Sequence, residues 1–169
     1  MSRLFFAIWP DAGARAGMAS VMDRLPSDCG RFVMQRNLHI TLVFLGFVTE
    51  EQEHCVLTGA RNITLSPVTL TLDTLGWWQR PQVIWLAPHK IPDALVILAD
   101  MLRTLAEQCG IKTDERPFAP HATLARKVRN RVALPEISPI TWEVSDFCLV
   151  RSDTRAEGAC YQVIWSSTK

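Results

Sequence analysis

Apolar and polar positions along the chain predict a mixed set of strands and helices. Residues 3–9, running through Leu4, Phe5, Phe6, Ala7, Ile8 and Trp9, read as a strand. Pro10-Asp11 then opens a helix to about Leu25, capped by Asp11, with Met18, Val21, Met22 and Leu25 at helical spacing. The stretch from Pro26 to Gly30 breaks it. In "NLHITLVFLG", residues 37–46, Leu38, Ile40, Leu42 and Phe44 alternate with His39 and Thr41, as in a strand with one face in the core, and Gly46 is expected to end the run. Thr49-Glu50-Glu51-Gln52 then matches a capping box and predicts a helix of about a dozen residues.

Two extended segments follow, "VTLTLDTLG" at 68–76 and "QVIWLAP" at 82–88, joined as a hairpin through Gln79-Arg80-Pro81. Pro92 suits the first turn of a helix to about Gln108 whose Leu95, Leu98, Ala99, Leu102 and Leu105 form one stripe, with Gly110 past its end. The rest reads as strands at 118–127, 142–152 and 159–166. Strands and helices mix without strict βαβ alternation, which predicts an α+β fold with antiparallel pairing.

Composition narrows the function classes. A chain of 169 residues, 48% hydrophobic and 21% charged, suits one globular domain over residues 1–169. Its 18 Lys+Arg against 17 Asp+Glu rule out a bulk polycation, so any phosphate-seeking surface must be local. No apolar run approaches a membrane span, and the N-terminal run is shorter than a signal peptide's and is cut by Pro10 and Asp11. Cys29, Cys55, Cys109, Cys148 and Cys160 are odd in number and scattered, which points to reduced thiols in a cytoplasmic protein, not a disulfide framework or zinc ribbon. The chain has no glycine-rich phosphate loop or dinucleotide fingerprint. A monomer is expected.

The chemistry comes from an echo. "APHATLARKV" at 119–128 repeats the first motif: His121, Thr123 and a leucine match His39, Thr41 and Leu42, and the two histidines are 82 positions apart. Each motif follows a helix, which suggests two similar lobes facing one another. In a strand, residues i and i+2 share a face, so each histidine projects beside its threonine. Two such strands across a cleft would bring together two imidazoles able to exchange protons near neutral pH and two hydroxyl donors. That set fits in-line displacement at a phosphodiester, one histidine neutral and one protonated, with the threonines and a fixed cation on the non-bridging oxygens. Arg126 is the candidate cation, with Arg116, Lys127, Arg129 and Arg131 nearby. Strict alternation puts Arg126 on the face of Leu124, so it reaches the cleft only if the strand twists, bulges or ends first. Neither motif brings a carboxylate or second histidine at metal-ligand spacing, and no metal site is expected. His54 and His89 are expected at the surface, the tryptophans mostly in the core, and one of Trp77 and Trp78 is a candidate base-stacking face.

The paired "HITL" and "HATL", with "RLFFAI" at 3–8, "QVIWLA" at 82–87 and "RPFAPHATLAR" at 116–126, resemble the 2H phosphoesterase superfamily and, within it, bacterial RNA 2′,3′-cyclic phosphodiesterases, also called 2′-5′ RNA ligases. The resemblance implies a bilobal α+β fold of two pseudo-symmetric lobes around a central cleft. It also implies metal-independent, cofactor-free hydrolysis of 2′,3′-cyclic phosphates on RNA ends or nucleotides to 2′-phosphates. By the same resemblance His39 and His121 are catalytic, and Thr41, Thr123 and Arg126 bind phosphate. "RSDTRAEGACY" at 151–161 lacks the prolines of the family pattern, so no substrate role is carried to Arg151 or Tyr161. The rival from another class is a nucleotide- or RNA-end-binding module that does no chemistry. Such a module needs phosphate donors but not an acid and base pair.

Overall fold

The computed structural model describes residues 1–168. Strand β1 (Ser2–Ile8) leads into helix α1 (Ala12–Asp23), whose first turn is capped by the Asp11 carboxylate accepting the Ala14 N–H at 2.7 Å. After β2 (Arg31–Phe32) comes β3 (Ile40–Val48), then α2 (Glu50–Ala60), closed at its start by the reciprocal capping box of Thr49 and Gln52. Strands β4 (Val68–Leu72), β5 (Thr74–Trp78) and β6 (Val83–Ala87) precede α3 (Asp93–Gln108). The chain ends with β7 (Ala122–Arg126), β8 (Ile140–Val144), β9 (Cys148–Arg155) and β10 (Gly158–Ser166). Among the described residues no helix is long and apolar enough to cross a membrane.

Pairing is antiparallel throughout, as the α+β reading expects. Seven strands follow the order β10-β9-β1-β3-β7-β6-β5, with β2 also on β7, and β4-β8 form a separate ribbon. The large sheet is nearly two. Strands β3 and β7 share one residue pair, Ile40 with Ala122, after which β7 changes partner and takes β2 through Arg31–Arg126 and Phe32–Ala125. Gly30 permits that approach, since a Cβ there would sit 2.6 Å from the Arg126 carbonyl oxygen. The halves β10-β9-β1-β3 and β7-β6-β5 therefore meet at a waist, with a cleft opening across it. Leu95, Leu98 and Leu102 of α3 and Met18 and Val21 of α1 join Leu4, Phe6, Ile8, Leu38 and Ile40 in the principal core. At about 1.5–3 kcal/mol per buried large aliphatic side chain, this stripe seats α3.

Several local expectations are corrected. Gly46 does not end β3: with φ of 70° it sits at an irregularity where Leu4 pairs with Gly46 but Phe5 with Phe44, and the strand runs on to Val48. The 68–76 and 142–152 segments each split into strands of different sheets. Pro92 is the residue before the helix, and only Trp142 of the six tryptophans is buried. Phe44 is exposed on the cleft side instead of in the core. The thiols are not all reduced: Cys55 and Cys109 form a disulfide between α2 and the end of α3. They are 54 residues apart, and the helix pairing that brings them together has no signature in cysteine spacing.

Candidate active site

Both histidines lie one residue ahead of their strands, since β3 begins at Ile40 and β7 at Ala122. Because Ile40 pairs with Ala122, one further step of the antiparallel register sets His39 opposite Thr123 and Thr41 opposite His121. All four side chains line a single cleft of about 1080 Å³. Sequence symmetry thus becomes spatial symmetry about the waist pair.

Each ring is pinned the same way. Nδ1 of His39 lies 2.6 Å from the carbonyl oxygen of Asn37, and Nδ1 of His121 lies 2.8 Å from that of Ala119. A carbonyl only accepts, so Nδ1 carries hydrogen in both rings and Nε2 is left as the reactive nitrogen. The Thr41 hydroxyl lies 3.2 Å from Nε2 of His39 and donates to it.

Arg126 reaches the cleft by the bulge that alternation required. Trp85 pairs with Thr123 but Ile84 with Ala125, so Leu124 is the extra residue and Arg126 returns to the face of His121 and Thr123. The first motif contains the same irregularity: Ala7 pairs with Thr41 but Phe6 with Val43, leaving Leu42 extra. The residue five beyond the histidine therefore enters the cleft in both motifs, Phe44 in one and Arg126 in the other.

Burial is the main cause that takes His39 down to about 4, opposed by the Asn37 carbonyl and reinforced by the positive charges of Arg126 and His121. His121 is lowered too, again chiefly by burial, with the Ala119 carbonyl opposing and Arg126 adding to the shift. The resting site therefore holds two neutral imidazoles beside a guanidinium, not a pair straddling the ordinary imidazole value. His39 is the more enclosed, stacked on Trp9 at 5.1 Å and flanked by Phe5 and by the edge of Tyr161. His121 meets the edge of Trp78 at 4.7 Å.

Of the other candidates, Arg116 and Lys127 line the cleft, with Arg116 paired to Asp114, whereas Arg131 borders a separate pocket beside Trp77. Arg151 is ion-paired with Glu53 at 2.9 Å. His54 and His89 are exposed, and no group of three or more metal-ligating side chains occurs among the described residues. Sequence reading missed Asn37 and the aromatic enclosure. Asn37 is buried, its main chain holds His39, and its side-chain amide donates to the Ala159 carbonyl at 2.9 Å. No pattern in the sequence marks Asn37, because its role rests on a main-chain oxygen and on a partner 122 residues away.

Comparison with known proteins agrees with the geometry. A family model described as the 2′-5′ RNA ligase superfamily matches residues 10–156, and the chain belongs to that superfamily. It is 41% identical over 134 residues to the RNA 2′,3′-cyclic phosphodiesterase of Escherichia coli K12, covering 79% of this chain and 76% of that protein. The protein of the same name from Thermus thermophilus is 29% identical, covering 96% of this chain and 87% of the relative. The crystal structure of E. coli LigT complexed with 3′-AMP superposes with a TM-score of 0.92 at 36% identity, covering 99% of both chains.

Proposed function

We propose that this chain hydrolyses the 2′,3′-cyclic phosphates of RNA ends or nucleotides to 2′-phosphates, with His39 and His121 as the proton-transferring pair. The observation that carries the reading is the matched pinning of both Nδ1 atoms, which leaves two Nε2 atoms on one cleft beside two threonines and an arginine. A site that only bound phosphate would have no use for two tautomer-fixed imidazoles. The names of the superfamily relatives support the same substrate class.

The reaction follows from the placement. Water attacks phosphorus in line with the P–O3′ bond, one imidazole takes its proton, and the other protonates the departing 3′ oxygen. The product is a 2′-phosphate with a free 3′-hydroxyl. The superfamily resemblance assigns His39 as donor and His121 as acceptor, which requires the bound anion to bring His39, the more depressed ring of the empty site, into its protonated form. The hydroxyls of Thr41 and Thr123 and the Arg126 guanidinium hold the non-bridging oxygens as their charge grows. The bound phosphodiester anion offsets the Arg126 charge, so binding raises both imidazoles toward the range where one is protonated. If a 5′-hydroxyl replaces water, the same displacement joins strands through a 2′-5′ bond, against the far higher concentration of water.

The test is incubation with nucleoside 2′,3′-cyclic phosphates in EDTA, with the product isomer assigned by phosphorus NMR. Conversion to the 2′-phosphate is expected. Persistence of the cyclic phosphate, or dependence on ATP or a divalent ion, would refute the mechanism.

A further inference from the structure

The cations around the cleft are not evenly matched by acids. Of the cleft's cations, Arg103 on α3 pairs with Asp100, and Arg116 in the segment between α3 and β7 pairs with Asp114. On the β7 side Arg31, Arg80, Arg126 and Lys127 line the cleft, and among the described residues none is in a salt bridge. Glu157 is the one carboxylate lining that side, and its contact with Arg31 is through the main-chain oxygen.

The backbone is bent to gather this charge. Arg31 and Arg126 are direct cross-strand partners, where like charges repel. Consecutive strand residues face opposite ways, yet Arg126 and Lys127 both line the cleft, because Lys127 leaves the strand in the left-handed region at φ of 57°. The turn carrying Arg80 is tied to the same place: the Val128 N–H donates to the Gln82 carbonyl at 2.9 Å, and Gln82 is itself left-handed at φ of 66°. Two unfavourable backbone conformations and a like-charge pair therefore meet on one rim, where among the described residues no cation is ion-paired. Arg126 is already assigned to the reacting phosphate and Arg31 donates to the Glu157 main-chain oxygen, which leaves Arg80 and Lys127 without a partner among the described residues.

We infer that Lys127 and Arg80 form a subsite for the phosphate that follows the terminal nucleotide, so that the cleft takes the 3′ end of an RNA strand in preference to a mononucleotide. This rests on the proposed function and names its substrate class. A 2′,3′-cyclic phosphate occupies the 3′ end, so the strand must leave through its 5′ oxygen. The rim of uncompensated charge beside Arg126 gives its next phosphate a place to sit.

Binding tests this apart from chemistry. The probes are an adenosine trinucleotide ending in a 2′-phosphate and adenosine 2′-monophosphate, titrated calorimetrically at several salt concentrations with the wild-type chain and the Lys127→Gln/Arg80→Gln variant. The wild-type chain is expected to bind the trinucleotide about tenfold tighter at low salt, with a steeper salt dependence by about one counterion per added phosphate contact. The double variant should lose both the preference and the extra slope, and Lys127→Glu alone should reverse the preference. Equal binding of the two probes by the wild-type chain, or equal weakening of both in the variant, would overturn the subsite. Failure of the wild-type chain to hydrolyse cyclic nucleotides would refute the proposed function while leaving the binding ratio to decide the subsite.

Discussion

The two His-x-Thr-Leu motifs share nearly everything local and differ in what packs on them. Each histidine gives Nδ1 to the carbonyl two residues back, each precedes its strand by one residue, and each leucine is the extra residue of a bulge. The neighbours break the symmetry. His39 is enclosed by Trp9, Phe5 and Tyr161 and falls to about 4, whereas His121 has Trp78 at its edge. At the matching fifth position one motif offers Phe44, stacked near Phe5 with the Arg3 guanidinium 5.2 Å from its ring, and the other offers Arg126. Matching His-x-Thr-Leu motifs thus supply the same Nδ1 anchor, and tertiary packing makes the two rings chemically unlike. For His39 to act as the donor, the substrate anion must raise it further than it raises His121.

The comparison breaks most visibly at the histidines. His39→Ala and His121→Ala should each lower kcat by roughly 10²–10⁴-fold, measured on a 2′,3′-cyclic nucleotide. A nitrophenyl phosphodiester, whose leaving group needs no protonation, should rescue His39→Ala far more than His121→Ala. The reverse pattern exchanges donor and acceptor, and failure of both to be rescued would make the histidines phosphate positioners.

Stability sharpens the difference next. The folded pKa of His39 is depressed, so its contribution is complete above the ordinary imidazole value of 6.5 and is lost as pH falls through about 4. The loss is on the order of 3 kcal/mol. Denaturant unfolding of the wild-type chain and His39→Gln from pH 7 to below 4 should show the wild-type chain losing more by that amount. Parallel curves would mean that the enclosure does not depress His39.

Arg126 is where the two motifs touch electrically, since its charge lowers both histidines. Arg126→Gln should raise both imidazole values, read by NMR titration, while reducing turnover. An increase at one ring alone would place Arg126 with that motif only. Arg126→Lys should also be impaired, by about 1–3 kcal/mol in kcat/KM, because an ammonium cannot present the planar fork. The threonines should matter least: Thr41→Ala and Thr123→Ala each remove one phosphate hydrogen bond and should cost about tenfold in rate. A larger loss from either threonine than from its histidine would reassign the pair.

Much of this was legible in the chain because it depends on local rules. Alternation at 37–44 placed His39 and Thr41 on one face, the Thr49–Gln52 box marked the start of α2, the Leu95–Leu102 stripe marked α3, and the repeat of His-x-Thr-Leu announced a paired site. What escaped depends on partners distant in sequence. Period-two alternation carries no mark of a bulge, because an extra residue is defined by the opposing strand, so the cleft-side positions of Phe44 and Arg126 appear only once β1 and β6 are in register. The Cys55–Cys109 bond required α2 and α3 to meet, and the enclosure of His39 required β1 and β10 to bring Trp9 and Tyr161 to it. By itself the sequence determined which groups could do the chemistry, since residue type and spacing set donors, acceptors and faces. Only the tertiary structure decided how acidic each group is and which cations have no carboxylate partner, because desolvation and Coulomb interactions depend on distance in space.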